Sequence, residues 1–421
     1  MGLTVCEKIL ARASQRSAVE PGEYIWARVD GTAIVGGQVY KRLKELGVKQ
    51  FFDPDRVFVT EDHLAPAPTI DASNQSVAMR KLVVEYGIKN FFEWGRHGIS
   101  HELFPHHGYL APGDFIASID SHSTSYGCFN VASCSISEEL PYVLMSGEVW
   151  LRVPTTIKFE IQGKLPGADN FVVGKDLILH IAGKYGTDLG LYRSLEFAGP
   201  GIQHISLPSR FSMANMSAEL GAKFAIFPYD REVAEYLEGK TRRPACPVSA
   251  DSDARYEQVY NLEVSELVPV IALPHDPGNC AAVSQIAPEK IGIQQAFIGS
   301  CVNGRMEDFR MAARILKGRK VHPQVRLIAT PASQAIWKMC LEEGIWEIFA
   351  EADAVVTNST CGACAGIHLG VLGGGERCIS TSNRNFRGRM GSPESEVYLA
   401  NSAVVAASAV RGYITDPREF L

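Results

Sequence analysis

Apolar residues along this chain switch between a helical and an alternating period, and each switch predicts a new element. In KLVVEYGIKNFFEWG (81–95) a helix gives way at a glycine to a short apolar strand. YLAPGDFIASIDSH (109–122) reads as a turn and then a buried strand ending in polar residues. VPTTIKFEIQGKLP alternates, which predicts a half-buried strand, and GKDLILHIAGKYG predicts a helix after it. SMANMSAELGA (212–222) has helical spacing, which puts Asn215 and Glu219 on one face, four residues apart.

From about residue 268 strands and helices alternate. QQAFIGSC is a strand, EDFRMAARILKG a helix and VRLIATPAS a strand. QAIWKMCLEEGIWEIFAEA reads as one helix, and AVVTNSTCGACAG and ERCISTSNRNF as strands that run into loops. This order predicts an α/β fold with a parallel sheet. In such sheets functional residues gather beyond the strand C-termini. Three loops there stand out: GSCVNGR, NSTCGACAG and STSNRNFRGR. The proline-bearing stretch 241–258 predicts a surface excursion.

Composition narrows the class. The 421 residues are 46% hydrophobic and 21% charged, enough for two or three domains with real cores. A net charge of −6 gives no electrostatic footprint for nucleic acid or an anionic membrane. No window reaches the apolar length of a membrane span. The start, MGLTVCEKILARAS, carries charge too early for a secretory signal and has Cys6 where a myristoylation pattern needs Ser or Thr. Ten cysteines are too sparse for a disulfide scaffold, so they are expected to be reduced, in the cytoplasm.

Cys361 and Cys364 form a CxxC in a run of small residues, and Cys301 ends another strand. Neighbouring parallel strands would bring these loops together as a soft thiolate site. From spacing alone, a metal, a redox pair and plain core packing all remain open. Four thiolates are usual for an iron–sulfur cluster. With only three, one iron would stay open to substrate, which suits a Lewis acid. A second cluster is polar: Asp62–His63, His101 and Asp120–Ser121–His122. Aspartates beside histidines orient the imidazole for acid–base work near neutral pH. A third is Asn383, Arg384 and Arg389 in a small-residue loop, where arginine forks match carboxylates.

GSCVNGRMEDFR, CGAC, STSNRNFRGR and the DSH of IDSHSTSYG together resemble the aconitase superfamily. The likeness is greatest to its stand-alone large subunits, of the 3-isopropylmalate dehydratase and homoaconitase type. It extends over nearly the whole chain. It implies three α/β domains, at 1–155, 156–285 and 286–421, around a [4Fe–4S] cluster. Cys301, Cys361 and Cys364 would be the cluster ligands, and Asp62, His63, His101, Asp120, His122 and Glu219 catalytic groups. Ser121, Asn215, Asn383, Arg384 and Arg389 would bind substrate. The family's swivelling fourth domain is not in the chain, so a separate small subunit is expected to bring it.

The implied reaction is dehydration and isomerisation of a hydroxy di- or tricarboxylic acid, with 3-isopropylmalate expected first. Alternatives are homoaconitase, an alkylmalate dehydratase such as one for dimethylmalate, or an iron-sensing scaffold that kept the cluster. A zinc or mononuclear-iron hydratase would use the same cysteines. The sequence departs from the family's usual residues at Val29, Tyr126 and Val302, and has no proline before Cys361.

Overall fold

The computed structural model describes residues 2–421. Contacts gather the chain into two compact units whose segments interleave in sequence. The first takes Met1–Ile161, Gly190–Ile202 and Leu220–Leu262, and the second Gln162–Leu189, Gln203–Glu219 and Glu263–Leu421.

In the first unit a parallel three-stranded sheet runs in the order Thr32–Val35, Val57–Thr60, Asn90–Phe92. Val57–Thr60 is buried at every position, as expected of a strand covered on both faces. A second parallel pair joins Phe115–Ser118 to Ala132–Ser135. Its first strand continues beside Thr32–Val35, because Ala117 N and Ile119 N donate to Gly31 O and Ala33 O. The helix Ile70–Glu85 starts where the Thr69 hydroxyl accepts from Ala72 N at 3.1 Å. Gly87, at φ +69°, turns the chain toward the strand Asn90–Phe92. That is the helix, turn and strand which the 81–95 pattern predicts.

The alternating stretch forms the strand Thr156–Gln162, with Ile157, Phe159 and Ile161 facing inward. It pairs in parallel with Ser194–Ala198, which pairs in parallel with Phe224–Ile226. The 241–258 stretch is largely irregular, but the Arg243 guanidinium pins it to Asp114 at 2.5 Å.

The second unit is built on seven strands in the order Cys280–Ala282, Val270–Ala272, Glu396–Leu399, Arg377–Ser380, Gln295–Ile298, Arg326–Ala329, Val355–Val356. The last five pair in parallel, and Val270–Ala272 pairs antiparallel with both of its neighbours. From Gln295–Ile298 the chain builds outward through Arg326–Ala329 to Val355–Val356. It then crosses back to lay Arg377–Ser380 on the other flank. Loops after Gln295–Ile298 and Arg377–Ser380 therefore leave in opposite directions, which opens a crevice between them. Helices Met306–Leu316 and Ser402–Arg411 pack together. The second buries small residues such as Ala403, Ala406 and Ala407, which lets the two approach closely.

Two sequence expectations are corrected here. The single helix over 334–352 is two, Gln334–Glu342 and Ile345–Glu351. Gly344 separates them in the left-handed region at φ +69°, where a side chain would be strained. The helix over 212–222 ends at Met216 and tightens into a 3₁₀ turn, Ser217–Leu220. Asn215 and Glu219 thus stand on different elements and do not share a helix face.

Candidate functional site

The first unit assembles a carboxylate–imidazole group. Asp62 and His63 follow the strand Val57–Thr60, Asp120 follows Phe115–Ser118, and His101 stands in the helix Ser100–His106. Asp62 holds His63 Nδ1 through Oδ1 at 2.5 Å and accepts from Ser100 N through Oδ2 at 3.2 Å. Across the ring, His63 Nε2 lies 4.0 Å from Asp120, and Asp120 lies 3.1 Å from His101 Nε2. Asp120 also accepts from His122 N at 2.8 Å, and Ser121 Oγ meets His122 Nδ1 at 3.0 Å.

Burial opposes charge on Asp120, but His101, His63 and His122 outweigh it and hold its carboxyl far below the usual range. Asp120 is therefore an anion throughout neutral pH. The stability it lends is complete above the ordinary carboxyl pKa and is lost only in strong acid. The His63 side chain is 36% exposed, against 1% for His101 and 4% for His122. Of these three rings it is the one that solvent reaches.

Two of the family departures fall in the core. Val29 is buried, and its N–H donates to Gly147 O. Tyr126 is buried too, with its ring 5.7 Å from that of His101 and 5.1 Å from that of Phe104. It backs His101.

The second unit assembles the cysteines. Cys301 follows Gln295–Ile298 after Ser300, a non-glycine residue in the left-handed region at φ +72°. Such backbone costs about 1–2 kcal/mol and persists only where its surroundings enforce it. Cys361 opens the 3₁₀ segment Gly362–Ala365, which carries Cys364. All three cysteines are buried. The strand Arg326–Ala329 separates the two cysteine-bearing strands, so they are next-nearest and not adjacent neighbours.

Asn383 links the loops. Its Nδ2 lies 3.3 Å from Cys301 Sγ and 3.1 Å from Asn215 Oδ1, and its Oδ1 lies 3.6 Å from Cys364 Sγ. Asn215 Nδ2 gives Cys301 Sγ a second amide at 3.3 Å. Arg389 Nη2 approaches Cys364 Sγ at 3.5 Å, while its buried Nε has no partner in the protein. Burial works against the Arg389 charge, but Cys364, Cys301 and Glu219 more than restore it, and its pKa stands above the usual value. Arg384 Nε is already engaged by Glu219 Oε1 at 2.7 Å. Val302, the third departure, is buried, and its carbonyl accepts from Ser212 Oγ and Arg305 Nη1.

Sequence reading missed Lys175. It is fully buried, and its Nζ donates to Thr381 O at 2.9 Å and Ser382 O at 2.5 Å. Burial pulls its pKa down to about 7 against Asp308, Cys301, Asp176 and Cys364. Beside Asp176, His180 and Lys184 in the same helix, Lys175 gives no signal in the sequence.

The donor set bears on what the thiols can hold. The three sulfurs do not all lie within 4.8 Å of one another, a spacing too wide for the shared ligands of a single ion. Cys301 and Cys364 both lie against the Asn383 amide, and Asn215 and Asn383 donate to Cys301 Sγ, donors that suit a thiolate-ligated group. Gly362 lies at φ +62°, and a Cβ there would stand 2.7 Å from the Phe297 ring. Gly362→Ala should therefore cost roughly 1–3 kcal/mol, read as a lower midpoint in denaturant titration. An unchanged midpoint would mean that the loop adapts freely.

A model of the aconitase family (aconitate hydratase) matches residues 7–412. The 3-isopropylmalate dehydratase large subunit of Moorella thermoacetica is 46% identical, over 100% of this chain and 99% of its own. That of Aquifex aeolicus is 45% identical, over 100% and 98%. Large subunit 1 of Pyrococcus abyssi is 45% identical, over 100% and 99%. A solved structure, holo-form aconitase X of Thermococcus kodakaraensis, aligns at TM-score 0.47 with 13% identity, over 85% of this chain and 84% of that one.

Proposed function

The chain belongs to the aconitase family, and we propose that it is the large subunit of a 3-isopropylmalate dehydratase, a hydro-lyase interconverting 2- and 3-isopropylmalate. The carrying observation is the end-to-end likeness to large subunits bearing that name. The geometry supports it through two sets of side chains, one suited to moving protons and one to holding a thiolate-ligated group. The three-block division at 155 and 285 and a cytoplasmic location belong to the same proposal. Among the described residues no helix is long and apolar enough to cross a membrane.

Cys301, Cys361 and Cys364 would hold a [4Fe–4S] cluster. When bound, that group supplies an iron without a thiolate, a Lewis acid for hydroxyl and carboxylate oxygens. The amides of Asn215 and Asn383 moderate the negative charge at Cys301. The free Nε of Arg389 is the donor for a substrate carboxylate. Arg384 and Glu219, paired at 2.7 Å, keep the loop in shape. His63 donates the proton that lets the hydroxyl leave as water, and Asp62 fixes its tautomer. Asp120, 3.1 Å from His101 Nε2, lies 4.0 Å from His63 Nε2, beyond hydrogen-bond distance, and adds negative charge beside that ring. A base on a separate small subunit takes the proton from the adjacent carbon, and the C–H electron pair becomes the alkene. Rehydration in the other sense gives the isomer.

Anaerobic reconstitution tests the reading. The protein should turn brown with about four irons and four sulfides per chain. Together with the small subunit it should act on isopropylmalates in preference to homocitrate, citrate and other alkylmalates. Colourless protein with stoichiometric zinc would overturn the cluster, and preference for another acid would overturn the substrate.

A further inference from the structure

Lys175 is a cation in an unfavourable place. Its side chain has no exposed surface. It lies in the first turn of the helix Gly174–Tyr185, the end at which the helix dipole disfavours positive charge. Among the described residues no carboxylate comes within ion-pair distance of it. Its hydrogen bonds go to two main-chain carbonyls, Thr381 O and Ser382 O. The buried carboxylates of the region are occupied elsewhere. Asp176 accepts from Val173 N, Val270 N and Asn401 Nδ2, and Asp308 accepts from Arg305 N and Asn303 Nδ2.

The two carbonyls immediately precede Asn383, whose amide meets Cys301 Sγ. From the other side the Thr381 hydroxyl accepts from Gly299 N at 2.9 Å and donates to Gly299 O at 3.0 Å, just before the strained Ser300. The turn is thus fastened twice, once to the strand end that leads to Cys301 and once to a buried ammonium. Burial disfavours the charge on this amine, and Asp308, Cys301, Asp176 and Cys364, in that order, favour it.

We infer that Lys175 is a positioning residue for the cysteine site: it fixes the Thr381–Ser382 turn so that Asn383 donates to Cys301, and its buried charge balances the thiolates. The inference rests on the cluster reading above. Net charge and hydrogen bonds to sulfur set the potential of an iron–sulfur group. Removing a positive charge and misaiming an amide both favour the oxidised form, so the two effects add.

The test is a redox titration of the anaerobically reconstituted protein, followed by electron paramagnetic resonance. Lys175→Met should load iron and sulfide but show a lower midpoint potential and shifted g-values. Lys175→Arg, which keeps the charge and the donors, should stay closer to the parent. If the Met variant does not fold, Lys175→Gln retains N–H donors for the carbonyls without the charge and should show a smaller lowering, from the lost charge alone. A parent-like potential in whichever uncharged variant folds overturns the inference, and so does an equal drop in Lys175→Arg. Failure of both uncharged variants to fold would reduce Lys175 to a structural role and overturn it as well. A parent protein that takes up no cluster would instead refute the underlying reading.

Discussion

Adding the small subunit to the reconstituted chain should raise turnover of 3-isopropylmalate by roughly 10²–10⁴-fold, the usual contribution of a positioned general base. On the proposed reading, His63 on Asp62 is the proton donor and Arg389 the carboxylate donor. The chain offers no assigned group to take the carbon-bound proton. Closing a site also excludes water, which strengthens each charged contact inside it. Steady-state kinetics of the chain with and without its partner, at equal cluster content, measures the effect. Within the pair, Arg389→Lys should lose the planar fork and cost about 1.5–3 kcal/mol in kcat/KM. The same substitution at Arg384 should also lower stability, because its Nε is engaged by Glu219 Oε1. Full activity from the chain alone would refute the two-subunit reading. A mixture silent on every acid tried would favour a scaffold.

The second large effect is on the cysteines. Cys361→Ser should abolish the brown colour and the activity together, and Cys301→Ser and Cys364→Ser should do the same. Cys340→Ser and Cys128→Ser should retain about four irons per chain. The Cys340 thiol is pushed up to about 12 by burial and lies 3.4 Å from Met306 Sδ, the setting of an inert packing residue. Cys378 is pushed up to about 12 as well, again by burial. Iron and sulfide analysis of the five variants decides the matter. Equal loss in all five would mean that the ligand assignment is wrong.

The parts of this molecule that were legible in the sequence are those where one residue type has one physical use. Short apolar runs ending in small or polar residues marked the strands before Asp120, Cys301 and Cys361. Aspartate beside histidine marked a carboxylate–imidazole group, which the structure draws together within the first unit. Other parts depend on partners far along the chain. Gly344 breaks a helix through a backbone angle that hydrophobic periodicity does not encode. Asn215 and Glu219 kept helical spacing although the helix stops between them. Arg384 looks like a free clamp until Glu219 is seen on it, and Tyr126 looks like a lost histidine until its ring is found against His101. Lys175 was invisible because its partners are carbonyls about 200 residues away.

The interleaved segments of the second unit also matter while the chain is being made. The helices Gly174–Tyr185 and Leu207–Met216 belong with strands that begin at Val270 and end at Leu399. At a translation rate of about 5–20 residues per second, the last of those strands leaves the ribosome roughly ten to forty seconds later. Until then the apolar face of Gly174–Tyr185 awaits the strands it will cover, with Leu207–Met216 packed on it. The first unit has all its segments by Leu262 and can close earlier. A nascent chain stalled between these two points would therefore present a finished first half and an adhesive, unfinished second, and chaperones that bind apolar segments should favour that window.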